Sequence, residues 1–305
     1  MDNDGPSRTA LITAYARAYH QIVDRPLIFT DPLAARLLGV TAEELAELGT
    51  PTTDHLGDGA SDRPRRLFFA TRARFAEDVV AAAVAAGVRQ VVVLGAGLDT
   101  FAYRNPFPDL RVFEVDHPAT QAWKRERLTA AGIDRPETLA FVPVDFETQT
   151  LAAGLESTGF TRTEPAVFVW LGVVFYLTPN AAHTTLEYIA GQAQPVEVVF
   201  DYLQPANTDE DSAHQQARAD RLADVGEPVY SYFTPDDIAA QLRALGFTSL
   251  EDHSAPDLVT HYLGGSARFG SEPPHALRAI RMLRASRSGS PGGNWVVPSS
   301  TPHAT

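Results

Sequence analysis

Two glycines and two acids give the first chemical signal in this chain. In Val91-Val92-Val93-Leu94-Gly95-Ala96-Gly97-Leu98-Asp99, four apolar residues suited to a strand buried on both faces run into a turn at Gly95, Ala96 and Gly97. A backbone without side chains can bend sharply there and lie close to a ligand. Glu114 and Asp116 follow in Phe113-Glu114-Val115-Asp116, where an acid at a strand end can accept the hydroxyls of a ribose. The pair reads as a site for an adenosine-containing cofactor.

The residues after the glycines discriminate between cofactors. A dinucleotide site needs a third glycine and a long helix whose N-terminus faces the pyrophosphate. Here Asp99 would repel a phosphate, and Asn105-Pro106-Phe107-Pro108 stops any helix after about one turn. S-adenosylmethionine has no phosphate and carries a sulfonium cation, so an acid at this turn suits it. The residues therefore favour the methyl donor, with an NAD-dependent oxidoreductase as the weaker alternative.

The elements that must position these residues follow from periodicity. Thr9 to Tyr19 has helical spacing, Asp31-Pro32 opens a second helix to Leu38, and Thr41 with Glu44 forms a capping box for a third. A long helix is expected from Arg65 to Ala86, capped by Gly87. Strands are expected at Leu139 to Val144, Ala166 to Trp170, Val196 to Phe200 and Phe247 to Leu250, alternating with helices. Leu277 to Leu283 reads as either a strand or a helix. The alternation predicts an α/β fold with a doubly wound, Rossmann-like sheet. Residues 1–62 form a helical N-terminal cap in this reading, 63–285 the core with a lid at 203–233, and 286–305, rich in Gly, Ser and Pro, a disordered tail.

Composition narrows the function classes. At 305 residues and 44% hydrophobic content the chain can bury a large core, and no apolar run approaches a membrane span. It has no cysteine, which excludes disulfides and thiolate chemistry. A net charge of −13 argues against a nucleic acid partner, and the expectation is a cytoplasmic enzyme acting on a small molecule. The basic stretches Arg63 to Arg74 and Lys124 to Arg127 read as solvated helix faces, Arg72 excepted.

The chain resembles S-adenosylmethionine-dependent methyltransferases related to leucine carboxyl methyltransferase and to polyketide O-methyltransferases. The residues that carry the likeness are Ser7-Arg8-Thr9-Ala10, Asp31-Pro32-Leu33-Ala34, Arg72 through Asp78, Leu94 through Arg104, Phe113 through Pro118, Val144-Asp145-Phe146 and Gly172 through Thr178. They extend from Ser7 to about Phe247. The resemblance implies a mostly parallel, seven-stranded methyltransferase sheet. It further implies that Arg72 pairs with the cofactor carboxylate, that Asp116 binds the ribose with Glu114 assisting or facing the core, and that Asp145 and Phe146 meet the adenine. Asp145 reads equally well as a helix N-cap. Asp99 approaches the methionine portion or braces the turn, with Arg104 as its partner; Arg17 assists from the first helix, and His117 adjoins the ribose acid. Many relatives carry a glutamate where this chain has Leu171, so the cofactor ammonium needs another partner, such as the carbonyls of Gly95 and Leu171. That departure also admits a repurposed fold that binds S-adenosylmethionine or S-adenosylhomocysteine without transferring methyl groups.

The acceptor side is less legible. An ionised carboxylate needs no base to be methylated, whereas a phenol gains from one. His117, His183, His214, His253 and His261 show no metal spacing, so no metal is expected and no catalytic base is assigned. Tyr176, Tyr202, Tyr230, Tyr232 and Phe233 fall at strand ends or in the lid, where aromatics can form an apolar acceptor pocket. The expectation is O-methylation of a small hydrophobic or aromatic metabolite.

Overall fold

The computed structural model describes residues 7–48, 60–145, 149–264, 269 and 272–288. Its helices, in chain order, are α1 (Arg8–Val23), α2 (Ala34–Leu38), α3 (Ala42–Leu48), α4 (Arg63–Ala85), α5 (Phe101–Arg104), α6 (Pro118–Ala130), α7 (Leu151–Glu156), α8 (Pro179–Ala190), α9 (Asp209–Asp224), α10 (Pro235–Ala244), α11 (Ala255–Tyr262) and α12 (His275–Arg278). The strands are β1 (Gln90–Leu94), β2 (Arg111–Asp116), β3 (Leu139–Pro143), β4 (Ala166–Trp170), β5 (Val196–Leu203), β6 (Ser249–Ser254) and β7 (Ile280–Arg287).

The sheet has seven strands in the order β3-β2-β1-β4-β5-β7-β6. The first five pair in parallel, and β7 runs antiparallel to both of its neighbours. Strand order reverses between β1 and β4, so connections leaving them diverge to opposite faces and open a crevice at the carboxyl ends. The expected Rossmann-like, doubly wound sheet is therefore present.

Alternation sends neighbouring residues to opposite faces of the sheet. Val92, Leu94, Phe113, Phe168 and Trp170 pack on Leu151, Leu186 and Leu242, from α7, α8 and α10. On the other face Val91, Val93, Val112, Val167 and Val169 meet Phe75, Val79 and Val80 of α4. Both faces are covered, which is why these strands read as continuous apolar runs.

Local signals hold at several ends. The Thr41 N–H donates to Glu44 Oε2 at 2.8 Å and the Glu44 N–H to Thr41 Oγ1 at 3.2 Å, a complete capping box. The short helix α5 stops at Arg104, directly before Asn105-Pro106. Other expectations need correction. The ambiguous segment 277–283 divides into a helical turn and a strand, since β7 begins at Ile280. β6 starts later than expected and extends to Ser254 because it pairs with β7 over six residues. β7 reaches Arg287, inside the segment read as a tail; residues 289–305 lie outside the described ones. The basic stretches are not simply solvated. Arg66 and Lys124 are buried because each has a carboxylate partner, Asp24 at 2.7 Å and Glu114 at 2.7 Å. No helix among the described residues is long and apolar enough to cross a membrane.

Candidate functional site

The turn after β1 passes through Gly95 at φ 62° and Gly97 at φ 47°. A Cβ on Gly95 would lie 2.4 Å from Val173 Cγ2, and one on Gly97 would lie 3.2 Å from Ala10 Cβ. Glycine is thus needed for conformation and for space, because the loop after β4 and the first turn of α1 press on the turn. Asp116, at the end of β2, holds it from the side. One carboxylate oxygen accepts the Gly97 N–H at 2.5 Å, and the other accepts the His117 N–H at 2.7 Å. Burial pushes the Asp116 pKa up, against the pull of those two donors.

Asp99 follows the turn. Its Oδ1 accepts the Phe101 N–H at 2.7 Å and so starts α5, while Oδ2 has no hydrogen-bond partner among the described residues. Asp99 and Leu171 line a common crevice with Ala73, Ala76, Glu77 and Val169. A carboxylate, that of Asp99, is therefore present on the same crevice as Leu171.

Arg72 projects from α4 toward the ends of β4 and β5. Its Nη1 donates to Asp201 Oδ2 at 2.8 Å, and Asp201 Oδ1 accepts the Gly172 N–H at 2.5 Å. Nη2 has only a long contact to Thr13 Oγ1, at 3.4 Å. The guanidinium carbon also sits 4.7 Å from the Phe69 ring centroid, a cation–π distance. Gly172, at φ 72°, leaves room for the fork: a Cβ there would lie 3.1 Å from both Nη atoms. The arrangement places a buried cation with a spare donor at the carboxyl ends of β4 and β5.

Behind the turn stands a second charged cluster. Arg17 donates to Asp31 at 3.0 Å and to the Leu98 carbonyl at 2.7 Å, so it braces the turn and does not face the crevice. Arg104 pairs with Glu77 at 2.6 Å, with Asp31 also within 3.5 Å; Asp99 is not its ion-pair partner as expected. Burial raises the Asp31 pKa, but Arg17 and Arg104 outweigh it and bring it below the usual range. Asp31 reads in sequence as a helix-opening residue, and it does accept the Leu33 and Ala34 N–H groups. That local signal conceals its long-range pairing.

Three further candidate residues have these surroundings. Glu114 is buried and paired with Lys124, so of the two readings it takes the one that faces the core. Alternation puts Glu114 and Asp116 on the same face, and position along the strand separates them: Asp116 is the last residue of β2, while Glu114 lies two residues inside it. His117 is the N-cap of α6, where Nδ1 accepts the Ala119 N–H at 3.2 Å. Asp145 follows β3, and its backbone N–H donates to Gln149 Oε1 at 3.1 Å; Phe146 lies outside the described residues.

The aromatic set divides. Tyr202 and Phe233 are buried in the core, with Tyr202 Oη donating to Asp252 at 2.7 Å, so neither lines an acceptor pocket. Tyr202 points inward because β5 continues three residues past Phe200. Tyr230 is exposed, and its N–H donates to the Phe175 carbonyl. Tyr176 shares a hydrogen bond of 3.0 Å with Thr9 Oγ1, which also donates to Glu227. Burial pushes the Tyr176 hydroxyl up to about 12. Tyr232 lines a cavity of 240 Å³ under α9, together with Arg65, Leu203, Gln204, Arg218 and Val229.

Glu210, His214 and His275 bring ligand atoms within 4.8 Å of one another, a cluster that sequence spacing could not show because His275 comes from a distant helix. His275 already contacts Asp211 through Nδ1 at 2.8 Å and Glu210 through Nε2 at 3.0 Å. The His214 and His275 rings are stacked at 4.3 Å and 15°, so their in-plane lone pairs do not converge.

Comparison with known proteins identifies the frame. The sequence profile of the leucine carboxyl methyltransferase family matches residues 10–190. YktD of Bacillus subtilis (strain 168), named for S-adenosyl-L-methionine-dependent methyl transfer, is 32% identical over 279 residues, covering 84% of this chain and 91% of the relative. A similarly named protein of Mycolicibacterium paratuberculosis (strain ATCC BAA-968 / K-10) is 30% identical over 286 residues, covering 88% and 90%. Among solved structures, a protein of Thermobifida fusca YX titled as a methyltransferase superposes with a TM-score of 0.56 at 17% identity, covering 94% of this chain and 97% of its own. A duf574 family protein of Streptomyces avermitilis MA-4680 gives 0.52 at 15%, covering 92% and 98%. Both show the fold.

Proposed function

We propose that this chain, which belongs to the leucine carboxyl methyltransferase family and is an S-adenosylmethionine-dependent methyltransferase, methylates an oxygen of a small hydrophobic or aromatic acceptor. The observation that carries the reading is the donor set around the glycine turn. Gly95 and Gly97 hold a tight, half-buried turn that side chains would not fit, Asp116 offers a carboxylate at the end of β2, and Arg72 keeps a spare donor. These chemistries match a ribose and an amino acid carboxylate.

The roles follow from what each group has left to give. Arg72 pairs with the cofactor carboxylate through its free Nη2, while Asp201 fixes the orientation of the fork. Asp116 accepts from the ribose hydroxyls, its geometry set by the Gly97 and His117 N–H groups. Asp99, through its unused oxygen, takes the ammonium that a glutamate at position 171 would otherwise meet. Asp145 closes the adenine end from the loop after β3.

When bound, S-adenosylmethionine supplies an electrophilic methyl group on a positively charged sulfur. The chain's task is to align the acceptor oxygen and exclude water, since the displacement is in line. Tyr176 and Thr9 close the crevice from the 3₁₀ turn Val174–Tyr176 and from α1, tied to Glu227 after α9. The histidine beside the turn, His117, uses its nitrogen as a helix cap, and a carboxylate acceptor, already ionised, needs no base.

Calorimetric titration with S-adenosylmethionine, S-adenosylhomocysteine and NAD, followed by a methyl-transfer screen of paired acids and phenols, tests the reading. Tight binding of the first two and methyl ester or ether product support it. Binding without transfer to any acceptor would instead favour a repurposed fold.

A further inference from the structure

The cavity beneath α9 has an unusual charge balance. Arg65, which also lies 3.4 Å from Asp62, lines it from α4, and Arg218 and Arg221 line it from α9, together with Tyr232. Asp211 is the acid in the lining, and it is already engaged by Thr208, His275 and Arg278. Among the described residues no carboxylate lies within ion-pair distance of Arg218. Its recorded neighbour is the Phe175 ring, 5.6 Å from the guanidinium carbon. Burial and the like charge of Arg65 pull the Arg218 pKa down, with Tyr176, Tyr232 and Asp201 opposing, as for a cation short of a counterion. A partly buried guanidinium without an anion is costly, and a ligand carboxylate would relieve that cost.

Position points to the acceptor and not to the cofactor. None of Gly95, Gly97, Asp99, Asp116 or Leu171 lines this cavity. Arg218 lies over the Phe175 ring, and the adjacent Tyr176 hydrogen-bonds Thr9 of α1 at 3.0 Å, whose next residue, Ala10, faces Gly97, so the cavity adjoins the glycine turn without sharing its residues. The volume of 240 Å³ is below the roughly 300–1,000 Å³ common for whole-ligand pockets, which suits one end of an acceptor. Helix α9 contributes no buried residue, so the cavity lies close to the surface.

We propose that Arg218, with Arg65 across the cavity, binds a carboxylate of the acceptor that is separate from the methylated oxygen, so that the substrate is a hydroxy acid or a diacid. Separation is required because a guanidinium paired to the attacking oxygen would withdraw the charge that makes it a nucleophile. The inference rests on the proposal that the acceptor is a small molecule methylated on oxygen.

The test uses the full-length protein saturated with S-adenosylhomocysteine and titrated with matched probes: 4-hydroxybenzoate against 4-hydroxybenzamide, hydroxyphenylpropionate against its amide, and a medium-chain diacid against its monoamide. The expected result is at least a tenfold preference for the acid in one or more pairs, reduced to within about twofold in Arg218→Gln and partly restored in Arg218→Lys. Absence of any preference in the wild type, or its survival in Arg218→Gln, overturns the proposal. So does an Arg218→Gln variant that loses S-adenosylhomocysteine affinity, because Arg218 would then serve the cofactor. A separate titration with S-adenosylhomocysteine alone distinguishes the two levels: failure there removes the methyltransferase reading, whereas normal binding with no acid preference removes only this one. Melting temperature reports folding of each variant.

Discussion

Arg72 and Asp201 lie 129 residues apart in sequence and meet at 2.8 Å, one from α4 and one near the end of β5. Asp201 uses its second oxygen on the Gly172 N–H, so the pair joins a helix, a strand and the loop after β4 into one rigid corner. A fork held on one side is preoriented on the other, which reduces the entropy lost when it binds an anion.

The first expected outcome separates that binding role from folding. Arg72→Ala should lower S-adenosylhomocysteine affinity at least tenfold, or about 1.4 kcal/mol by calorimetry. It should also destabilise the fold, by about 3–5 kcal/mol, because Asp201 is left buried and unpaired. The double variant Arg72→Ala with Asp201→Asn should recover much of the stability and none of the affinity. If affinity returned together with stability, Arg72 would be structural only.

Gly95→Ala tests the turn. Its φ of 62° and the 2.4 Å approach of Val173 Cγ2 combine strain with overlap. We expect a loss of about 1–3 kcal/mol in unfolding free energy and weaker cofactor binding. Val173→Ala removes the overlapping methyl but not the strain, so adding it to Gly95→Ala should restore part of the loss. A double-mutant cycle in urea measures the coupling, and full additivity would count against the contact.

The centre of the sheet was legible because strands such as β1 and β4 are buried on both faces and read as apolar runs, unlike the polar β6, and the turn because Gly95, Gly97 and Asp116 follow a spacing set by strand and turn geometry. What stayed hidden was pairing between distant segments. Lys124 sits in the charged run Lys124-Arg125-Glu126-Arg127, and nothing local shows that its side chain turns inward toward Glu114. Tyr202 read as a pocket residue because the strand was expected to end at Phe200, and three extra residues carried it into the core. Arg218 drew no notice, since a polar helix conceals which of its cations faces a cavity until α9 is docked.

Acid sensitivity should centre on Asp24. Desolvation raises its pKa, but hydrogen bonds from His20 and Arg66 outweigh it and bring the carboxyl from 3.8 to about 2. His20 Nε2 accepts the Ile28 N–H at 3.2 Å, which leaves Nδ1 to donate to Asp24 at 2.9 Å. Because the folded pKa is depressed, the contribution is fully present above the unfolded value of 3.8 and is lost as pH falls toward 2. Up to about 2 kcal/mol should disappear across that window. Asp24→Asn should be less stable at neutral pH and show a shallower acid decline in urea unfolding; a slope identical to the wild type would sink the assignment.

The Glu114–Lys124 pair predicts a pH dependence of the opposite sign. Both side chains are buried, at 1% and 2% exposure, and burial pushes Glu114 up to about 7 against the attraction of Lys124. Removing the lysine as Lys124→Met deletes that attraction and leaves desolvation unopposed, so the Glu114 pKa should rise further. An acid whose folded pKa is raised holds its proton in the native state while the unfolded chain gives it up, so stability falls as pH climbs above the unfolded value near 4.5. The loss should level off once the folded pKa is passed. The variant should therefore lie close to the wild type in mildly acidic buffer and fall below it by about 1–2 kcal/mol in mildly alkaline buffer, since one proton is worth about 1.4 kcal/mol per pH unit above the wild-type value of about 7. Unfolding free energies at the two conditions measure the gap directly. Adding Glu114→Gln to Lys124→Met removes the titrating group, and the extra pH dependence should vanish with it. A gap that is the same at both pH values, or that persists in the double variant, would show that Lys124 contributes by packing alone.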